Sequence, residues 1–477
     1  MSHPDRLSGL DTSFLHLEHG AAHMHVGACA IFDGPAPAYD DLVAAVEARL
    51  HLVPRYRQRL AFVPLEQGRP VWVDDPQFRL PFHVRHTSLP KPGSDVQLKR
   101  LAGRVFSQAL DRSRPLWEIW LVEGFSDGRF ALISKTHHAL VDGISGVDIA
   151  SVIFDSAPDP APVGPPPRPW APRPLPTPAQ LLADALIERT TVPGEFTRGI
   201  RALLRAPRHA LGSAGAALGI AGAFGGLRTL SRSSAEPAPR SPFNVQIGPH
   251  RRFTWVDAQL AEFREVKDAL GGTVNDVVLA AVAGALGAYM RRHELATDGL
   301  VLKALVPVSV RADGEQGALG NRIAAMWAPL PIGIEDPGER LAVISDAMAE
   351  LKQSGQAVGA QTLAELSGFA SPTLVAQAAR LQARQRLFNL VVTNVPGPQT
   401  PLYVLGRRMR AAYPLVPLAA NTTVAIAVIS YDGGLDFGLN ADYDGLPDLE
   451  LLAEDLRAAT QALAELAHSN RHAREST

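Results

Sequence analysis

The sequence predicts a mixed α/β protein built from two domains, and three observations support that fold class. Strand-like apolar runs and helix-like apolar periodicities occur together in both halves, without the strict alternation of a parallel βαβ fold. The chain has 477 residues, which exceeds the usual size of a single compact domain. A proline-rich stretch separates the halves, because proline fixes the backbone and removes a hydrogen-bond donor.

Changes in composition set the boundaries between the predicted parts. Prolines crowd the stretch from Ala157 to Gln180, which we expect to be an extended, semi-rigid linker. A segment rich in alanine, leucine, glycine and arginine follows it, and the last residues are polar. The parts are an N-terminal domain, the linker, a basic and apolar helical segment, a C-terminal domain and a disordered tail: 1–156, 157–180, 181–240, 241–468 and 469–477.

In the N-terminal domain, apolar residues recur at helical spacing over 39–52 and 95–110, which predicts two helices. Pro54 ends the first of them. Asp127-Gly128 predicts a tight hairpin turn between the last two strands. The predicted strands are Met24–Phe32, Leu60–Pro64, Pro70–Val73, Phe82–Arg85, Arg114–Val122 and Phe130–Ser134.

In the C-terminal domain, Gly271-Gly272 ends one predicted helix and Thr273 caps the long apolar helix that follows. A hairpin is predicted across Asp432-Gly433-Gly434. The predicted helices are Leu260–Leu270, Val274–Met290, 336–353, 359–370, 372–386 and Leu449–Ala467. The predicted strands are Phe253–Val256, Leu302–Val310, one from Gly320 through Leu330, Phe388–Asn394, Thr422–Tyr431 and Leu435–Ala441.

Charge and cysteine content narrow the class of protein. The formal net charge is −2, so no overall field favours nucleic acid, and no nucleic-acid partner is predicted. The single cysteine, Cys29, lies in an apolar run, and we expect it to be a core residue of a cytoplasmic protein. No signal-peptide pattern and no run of about 18 apolar residues occurs, so any membrane contact is expected to be peripheral.

The segment 181–240 is the candidate for such contact. Arginine outnumbers acidic residues between Leu181 and Arg232, and 212–226 is apolar and glycine-rich. A basic helix beside a soft apolar stretch can lie on an anionic membrane or a lipid droplet. A solvated helical pair that packs on the second domain is the alternative.

Two adjacent histidines mark the candidate active site. His137 and His138 follow the apolar strand, and Asp142 and Gly143 come next in the turn. Histidine serves as a base near neutral pH because its ordinary pKa is about 6.5. Neighbouring strand residues point to opposite faces, so we expect one histidine to reach the substrate and the other to pack or form a hydrogen bond. Asp142 can fold back to brace the loop.

Other chemistries are excluded on motif grounds. The two adjacent histidines cannot easily bind one ion, and no HExxH or cysteine cluster occurs, so no metal site is predicted. No GxSxG elbow occurs, although Ser145 can donate a hydrogen bond. The glycine pair before Thr273 lacks the lysine of a phosphate-binding loop. Asn275 and Asp276 are polar residues at the start of an apolar helix, where stabilisation of the helix end is the structural alternative.

Several stretches, in this order, resemble the bacterial wax ester synthase/acyl-CoA:diacylglycerol acyltransferase family, and together they span nearly the whole chain. One small departure from the family pattern is His23, where we expect a proline. The stretches are Leu10-Asp11-Thr12-Ser13-Phe14, Met24-His25-Val26-Gly27, Pro115-Leu116-Trp117-Glu118, His137-His138-Ala139-Leu140-Val141-Asp142-Gly143, Val274-Asn275-Asp276-Val277, Pro307-Val308-Ser309-Val310-Arg311, Gly320-Asn321 and Asn394-Val395-Pro396-Gly397-Pro398.

This resemblance implies a fold and roles for particular residues. The family belongs to the chloramphenicol-acetyltransferase-like group, which implies two similar α/β domains with the active site in a channel between them. His138 is implied as the general base, Asp142 as a structural partner of its loop, and Asn275-Asp276 as a second motif near the channel. Acyl-CoA is the implied donor and a long-chain alcohol or diacylglycerol the acceptor, with no cofactor besides these substrates.

A mechanism follows from that interpretation. We expect His138 to take the proton of the acceptor hydroxyl while the hydroxyl oxygen attacks the thioester carbonyl. No acyl-enzyme is expected to form. Gly143, Ser145 and Asn275 are candidate donors to the oxyanion, and His137 supports the site. Two alternatives remain open. The first is another enzyme: an acyltransferase that acts on a polyketide or glycolipid, or a condensation-type enzyme that uses a carrier-bound donor. The second is a non-catalytic protein that binds lipid droplets.

Overall fold

Two mixed β-sheets of six strands each form the framework of the described residues. The structure is a computed structural model that describes residues 5–18, 20–141, 153–161, 163–165, 168–187, 237–309, 323–353 and 386–475. The strands are β1 (His25–Phe32), β2 (Gln58–Ala61), β3 (Val71–Asp74), β4 (Val84–Ser88), β5 (Trp117–Glu123), β6 (Phe130–His137), β7 (Arg251–Gln259), β8 (Val301–Ser309), β9 (Ile323–Pro331), β10 (Leu390–Pro396), β11 (Tyr403–Val404), β12 (Arg407–Leu415), β13 (Val424–Tyr431) and β14 (Gly434–Asp442).

Helices cover the sheets and connect their strands. Most begin and end where the apolar periodicity and the capping residues predict. The helices are α1 (Gly9–Leu17), α2 (Tyr39–Arg49), α3 (Asp95–Ser107), α4 (His138–Val141), α5 (Pro178–Ile187), α6 (Leu260–Leu270), α7 (Val274–Arg292), α8 (Pro337–Gln353) and α9 (Leu449–Glu475). The predicted helices at 359–370 and 372–386 lie outside the described residues, except for Arg386.

The first sheet combines strands from both halves of the chain. Its order is β11-β12-β1-β6-β5-β4, and β12 pairs antiparallel with β1, with Tyr413 opposite Cys29. The range expected for the second domain, 241–468, therefore contributes two strands to the first sheet. Short-range sequence patterns do not show this exchange, because it depends on a pairing between residues that are far apart in the chain.

Both faces of the first sheet are buried. Residues such as Phe32 and Leu132 pack with Leu42 of α2 on one face. Cys29 and Ile133 face the other way, against α3 and residues of the second domain. Cys29 is thus a core residue, as predicted, and burial raises the pKa of its thiol to about 12.

The second sheet, in the order β7-β14-β13-β10-β8-β9, is covered by helices on one face. Helix α7 lies in that core, with most of its side chains buried. It is long and apolar enough to span a membrane, but 78% of its apolar window is buried inside the protein. Burial on that scale is typical of the core helix of a globular domain.

Strand β12 crosses β14 at close range, and this crossing joins the two sheets. A Cβ atom at Gly438 would lie 1.8 Å from the carbonyl oxygen of Pro414, so only glycine allows the approach. The amide of Ala412 on β12 donates to Asp436 on β14 over 2.9 Å. The Tyr413 hydroxyl donates to Asp257 on β7 over 2.5 Å.

The proline-rich linker packs against the first domain. Trp170 lies near the guanidinium of Arg57 and the ring of Phe78. Arg173 donates to Asp74 and pairs with Asp5 at 3.0 Å. Residues 171–177 have no regular secondary structure, and α5 begins at Pro178, inside the range predicted as linker.

One expectation about the C-terminal end needs correction, and one helix near the N-terminus was not predicted. The polar composition predicts a disordered tail over 469–477, but residues 469–475 continue α9 to Glu475. Polar composition alone does not end a helix, because an exposed helix can continue without an apolar face. Near the other end, α1 forms where the sequence patterns predict no element, with Ser8 accepting the Asp11 amide as its cap.

The inter-sheet carboxyl of Asp436 should make stability depend on pH. Burial and the facing Asp257 raise the pKa of Asp436 to about 7, although the Ala412 amide opposes the shift. Because this folded-state pKa exceeds the unfolded value of 3.8, the contribution of Asp436 to the free energy of unfolding is complete below about pH 4. It is lost as the pH rises toward 7.

Replacing Asp436 with asparagine removes that titration, so the variant should gain stability over the wild type as the pH rises from 5 to 8. We expect a gain of about 1–4 kcal/mol, at about 1.4 kcal/mol per pKa unit. Urea denaturation at each pH measures it. Asp33→Asn, which alters an exposed ion pair with Arg410, is the control and should show no comparable trend. Parallel curves for wild type and Asp436→Asn would contradict the assignment.

Candidate active site

The two histidines lie where a central strand of the first sheet ends. His137 is the last residue of β6, and His138 is the first residue of the short helix α4. The preceding strand is apolar and sits between β1 and β5, so its end is firmly held. The change from strand to helix turns the two side chains into different surroundings.

The imidazole of His137 is buried and uses both of its nitrogen atoms. Its side chain is 1% exposed. Nδ1 accepts the amide N–H of Ala139 over 3.1 Å, and Nε2 lies 2.8 Å from Oε2 of Glu18. The Ala139 bond requires an unprotonated Nδ1, which assigns the ring proton to Nε2, where it is donated to Glu18. His137 therefore supports the backbone immediately after His138, and its role in the reaction stays a prediction.

Glu18 is the centre of this network, and sequence reasoning missed it. Its carboxylate lies 2.9 Å from Arg112, 3.5 Å from His23 and 3.8 Å from His25, in addition to His137. Burial by itself raises the pKa of Glu18, but hydrogen bonds from His137, His23 and Arg112 outweigh it and hold that pKa well below its usual range. The only hint in the sequence is its position between the two N-terminal family stretches.

His25 adds a second buried imidazole beside this carboxylate. Its Nε2 accepts the amide of Leu110 at 3.4 Å, and its ring lies edge-on to that of His137. Burial is the main reason why the pKa of His25 falls well below 6.5, and the charge of Lys135 adds to the shift. A neutral His25 therefore packs against the ionised Glu18 across the neutral pH range.

His138 has a different environment. Its ring is half-buried and stacks on Phe14 of α1, with ring centroids 4.1 Å apart. Its amide N–H donates to the carbonyl oxygen of Met24 over 2.8 Å. Two of the N-terminal family stretches thus contact the second histidine directly, one through a ring and one through the backbone. This arrangement orients an imidazole that still reaches the surface of the site.

A buried ion pair joins Lys135, two residues before His137 on β6, to Glu118 on the neighbouring strand β5. Lys135 is 2.6 Å from Glu118 and donates to the carbonyls of Val105 and Gln108 at the end of α3. Burial lowers the pKa of Lys135, and Glu118 opposes that shift. Glu118 also pairs with Arg85 at 3.3 Å. A lysine soon after the apolar run Phe130–Ile133 was the signal that could have revealed this pair.

The other predicted site residues have separate outcomes. Asp142, Gly143 and Ser145 lie outside the described residues, so their expected roles stay predictions. Asp276 caps α7: its carboxylate accepts the amide and hydroxyl of Thr273, both over 2.8 Å. These contacts support the structural alternative for Asp276, whereas a substrate-positioning role for Asn275 and Asp276 stays a prediction.

The described residues offer no arrangement for a metal ion. Among them, no group of three or more histidine, cysteine, aspartate or glutamate side chains is placed to hold one. The histidines around Glu18 act instead as hydrogen-bond partners and ring neighbours of one carboxylate. The chemistry available here is proton transfer by an oriented imidazole.

The two mixed sheets, with paired histidines at the end of a central strand, define a protein of the chloramphenicol-acetyltransferase-like fold class. At the level of fold, the chain is similar to the trichothecene 15-O-acetyltransferase TRI3 of Fusarium sporotrichioides, with a TM-score of 0.59, 10% identity and coverage of 96% and 95% of the two chains. The expected fold class of two α/β domains is thereby confirmed.

Comparisons across the whole chain identify the family. Residues 7–278 match the wax ester synthase/diacylglycerol acyltransferase catalytic domain, and 319–464 match the C-terminal domain of the same family. A Mycobacterium tuberculosis protein named as a diacylglycerol O-acyltransferase, tgs1, is 32% identical, covering 97% of this chain and 96% of the relative. The chain belongs to the wax ester synthase/diacylglycerol acyltransferase family, which confirms the resemblance.

A solved structure from the same family covers both domains. The wax ester synthase/diacylglycerol acyltransferase of Marinobacter aquaeolei VT8 is 30% identical, with a TM-score of 0.66 and coverage of 97% and 100% of the two chains. This protein is therefore an enzyme of the acyltransferase class, as predicted.

Glu18 can be tested through the tautomer that it selects. Glu18→Gln keeps the shape but can place an amide N–H against the Nε2 proton of His137, which should weaken the Ala139 bond. We expect the kcat for acyl transfer to fall about 10²-fold, the loss typical of a small misplacement of a catalytic group. Because Glu18 has a lowered pKa, it stays ionised above about pH 4.5, so the deficit should be constant from about pH 6 to 9.

The control for this prediction is Glu123→Gln, a half-exposed glutamate of the first domain that pairs with His86. It should leave kcat within about 2-fold of wild type, as expected for a solvent-exposed ion pair. Equal effects of the two substitutions would contradict the role of Glu18.

Proposed function

We propose that this enzyme transfers a long-chain acyl group from acyl-CoA to the hydroxyl of a fatty alcohol, of diacylglycerol, or of both. His138 is the general base, and no cofactor takes part besides the substrates. The observation that carries the proposal is the difference between the surroundings of His137 and those of His138. His137 has both nitrogens engaged in structural bonds, whereas the half-buried His138 is oriented by Phe14 and Met24.

One catalytic cycle moves the proton and the acyl group in two steps. His138 takes the proton from the acceptor hydroxyl as its oxygen attacks the thioester carbonyl, so a C–O bond forms and an oxyanion develops. Donors must meet that oxyanion, and Gly143, Ser145 and Asn275 remain the candidates. The C–S bond then breaks, and His138 returns the proton to the CoA thiolate. The products are the ester and free CoA.

Ionised Glu18 supports this cycle from behind His137. The carboxylate fixes the proton of His137 on Nε2, so Nδ1 can hold the Ala139 amide next to His138. A fixed backbone at that position limits the directions in which the base can point. Preorganisation of this kind lowers the barrier because the base need not reorient during the reaction.

The names of the relatives favour lipid acceptors. The Mycobacterium tuberculosis relative is named for diacylglycerol acylation, and the Marinobacter aquaeolei enzyme is named for wax ester synthesis as well. Both are similar over nearly their full length, so the alternatives of a polyketide or glycolipid acyltransferase, a condensation-type enzyme and a non-catalytic coat protein are not favoured.

His138→Ala should reduce turnover by about 10²–10⁴-fold, the usual contribution of a general base. The assay follows free thiol released from palmitoyl-CoA when hexadecanol, dioleoylglycerol or both are added, and the lipid products are separated. His86→Ala is the matched control, since His86 is an exposed histidine of the same domain, and it should retain wild-type turnover. Wild-type turnover in His138→Ala, or thiol release without any added acceptor, would sink the proposal.

We also propose that the enzyme is cytoplasmic and that it contacts a membrane or lipid-droplet surface peripherally, through the segment 181–240. Helix α5 leads into it with Leu186 and Ile187 that are 49% and 59% exposed, although residues 188–236 lie outside the described structure. A basic and apolar segment can bind anionic lipid while the enzyme body stays in water.

Leu186→Glu/Ile187→Glu should weaken co-sedimentation with vesicles of phosphatidylglycerol several-fold, because it places two negative charges against an anionic surface. His138→Ala should sediment like wild type, since the base takes no part in docking. If the double variant bound as strongly as wild type, α5 would have no part in the contact.

A further inference from the structure

A buried arginine of the second domain reaches into the first domain beside the histidines. Arg251 begins β7 and is 6% exposed. Its guanidinium donates to the carbonyls of Gly248 and His250, over 2.6 and 2.9 Å, on its own side of the joint. The other terminal nitrogen donates to the carbonyl of Ala21 in the first domain.

The segment that accepts the hydrogen bond from Arg251 also contacts His137 and His138. Ala21 lies in the turn between α1 and β1, residues 20–24. At the end of that turn, the carbonyl of Met24 accepts the amide N–H of His138 over 2.8 Å. Just before the turn, Glu18 holds His137 over 2.8 Å. The turn therefore connects Arg251 to the backbone of the proposed base and to its support.

We propose that Arg251 is a positioning residue for acyl transfer, acting through the turn 20–24 on His138 and His137. This inference rests on the proposed role of His138 as the base. Arg251 need not contact substrate: it holds the turn at Ala21, and the turn holds the amide of His138 at Met24. In this way the second domain controls the geometry of a site that belongs to the first.

The arginine is itself held rigidly, which the role requires. Its amide donates to the hydroxyl of Ser107 over 2.9 Å. Its carbonyl oxygen lies 2.7 Å from where a Cβ of Gly103 would be, so β7 sits directly against α3. Asp442 lies 3.6 Å from the guanidinium, and the amides of Gly248 and Gly445 each fix that carboxylate over 2.7 Å.

The geometry needs arginine rather than lysine. A guanidinium presents several N–H groups in a fixed plane, so it can serve two carbonyls of its own domain and one of the other domain together. A lysine would keep the positive charge near Asp442 but has one nitrogen on a shorter reach. Arg251→Lys therefore keeps the positive charge near Asp442 but removes the hydrogen bond to Ala21. Arg251→Gln, which keeps an N–H donor without the charge, is the second variant.

Arg340 supplies a matched control. It is buried to a similar degree, and its guanidinium also donates to carbonyls, those of Ala280, Ile334 and Glu335. All of these partners belong to the second domain. Arg340→Lys and Arg340→Gln thus disturb a buried arginine of the same kind without touching the turn 20–24.

The test is a double-mutant cycle on kcat, combining Arg251→Lys or Arg251→Gln with Glu18→Gln, at a temperature where all proteins are folded. Each Arg251 variant alone should lower kcat about 10- to 100-fold, the range expected for misplacement of a base, and KM for palmitoyl-CoA should change less than about 3-fold. Combined with Glu18→Gln, the loss should be well below the product of the single losses, because both residues hold the same turn. The Arg340 variants should keep kcat within about 2-fold and combine with Glu18→Gln multiplicatively.

Amide hydrogen exchange gives a readout that does not depend on activity. Peptides that contain 20–25 and His138 should exchange faster in the Arg251 variants than in wild type or the Arg340 variants, since the Met24–His138 bond is loosened. If His138→Ala proved fully active, the proposed function would fail, but this exchange result would still decide whether Arg251 holds the turn.

The outcomes are distinct. Wild-type kcat in either Arg251 variant, fully multiplicative losses with Glu18→Gln, or unchanged exchange at His138 would overturn the positioning role. Loss of the fold in both Arg251 variants while both Arg340 variants fold would also overturn it, because a positioning residue leaves the global fold intact. Reduced kcat, sub-multiplicative losses and faster exchange together support it.

Discussion

The site depends on the hydrogen bonds and ion pairs of the largely buried carboxylate of Glu18. An unpaired negative charge in such a place would be very unfavourable, so its partners must stay where they are. His137, His23 and Arg112 satisfy it, and this is why its pKa remains low despite burial. The carboxylate in turn fixes the proton of His137 on one nitrogen, which frees the other to hold the backbone next to His138.

The two domains are linked more closely than a linker between two globular units would require. Strand β12 belongs to the second half of the chain but pairs with β1 in the first sheet. It crosses β14 at Gly438, where only glycine fits. The cluster around Trp255 and Tyr413 fills the joint from both sides. Arg251 lies at the same joint. A change in the packing of the domains would therefore move the turn 20–24 and alter the positions of His137 and His138.

Much of the fold could be predicted because it depends on local patterns. The hairpin turn at Asp127-Gly128 has both residues at positive φ, which aspartate and glycine tolerate. Thr273 caps α7 as its sequence position predicts. Helix α1 and the last turns of α9 could not be predicted in this way, because their residues carry weak periodicity and their stability comes from packing and continuation of existing helix.

By itself the sequence determined the histidine pair, the strand that ends at it and the family, because these depend on residue types at short spacing. Strand geometry also predicted that the two rings would separate, although the structure separates them by a change from strand to helix at His138. Only the tertiary structure decided which groups meet them: Glu18 and Phe14 from the N-terminal helix region, Met24 from the following turn and Arg251 from the other domain. These contacts join residues up to 230 positions apart, and no local propensity encodes a bond over that distance, since chain folding alone brings its partners together.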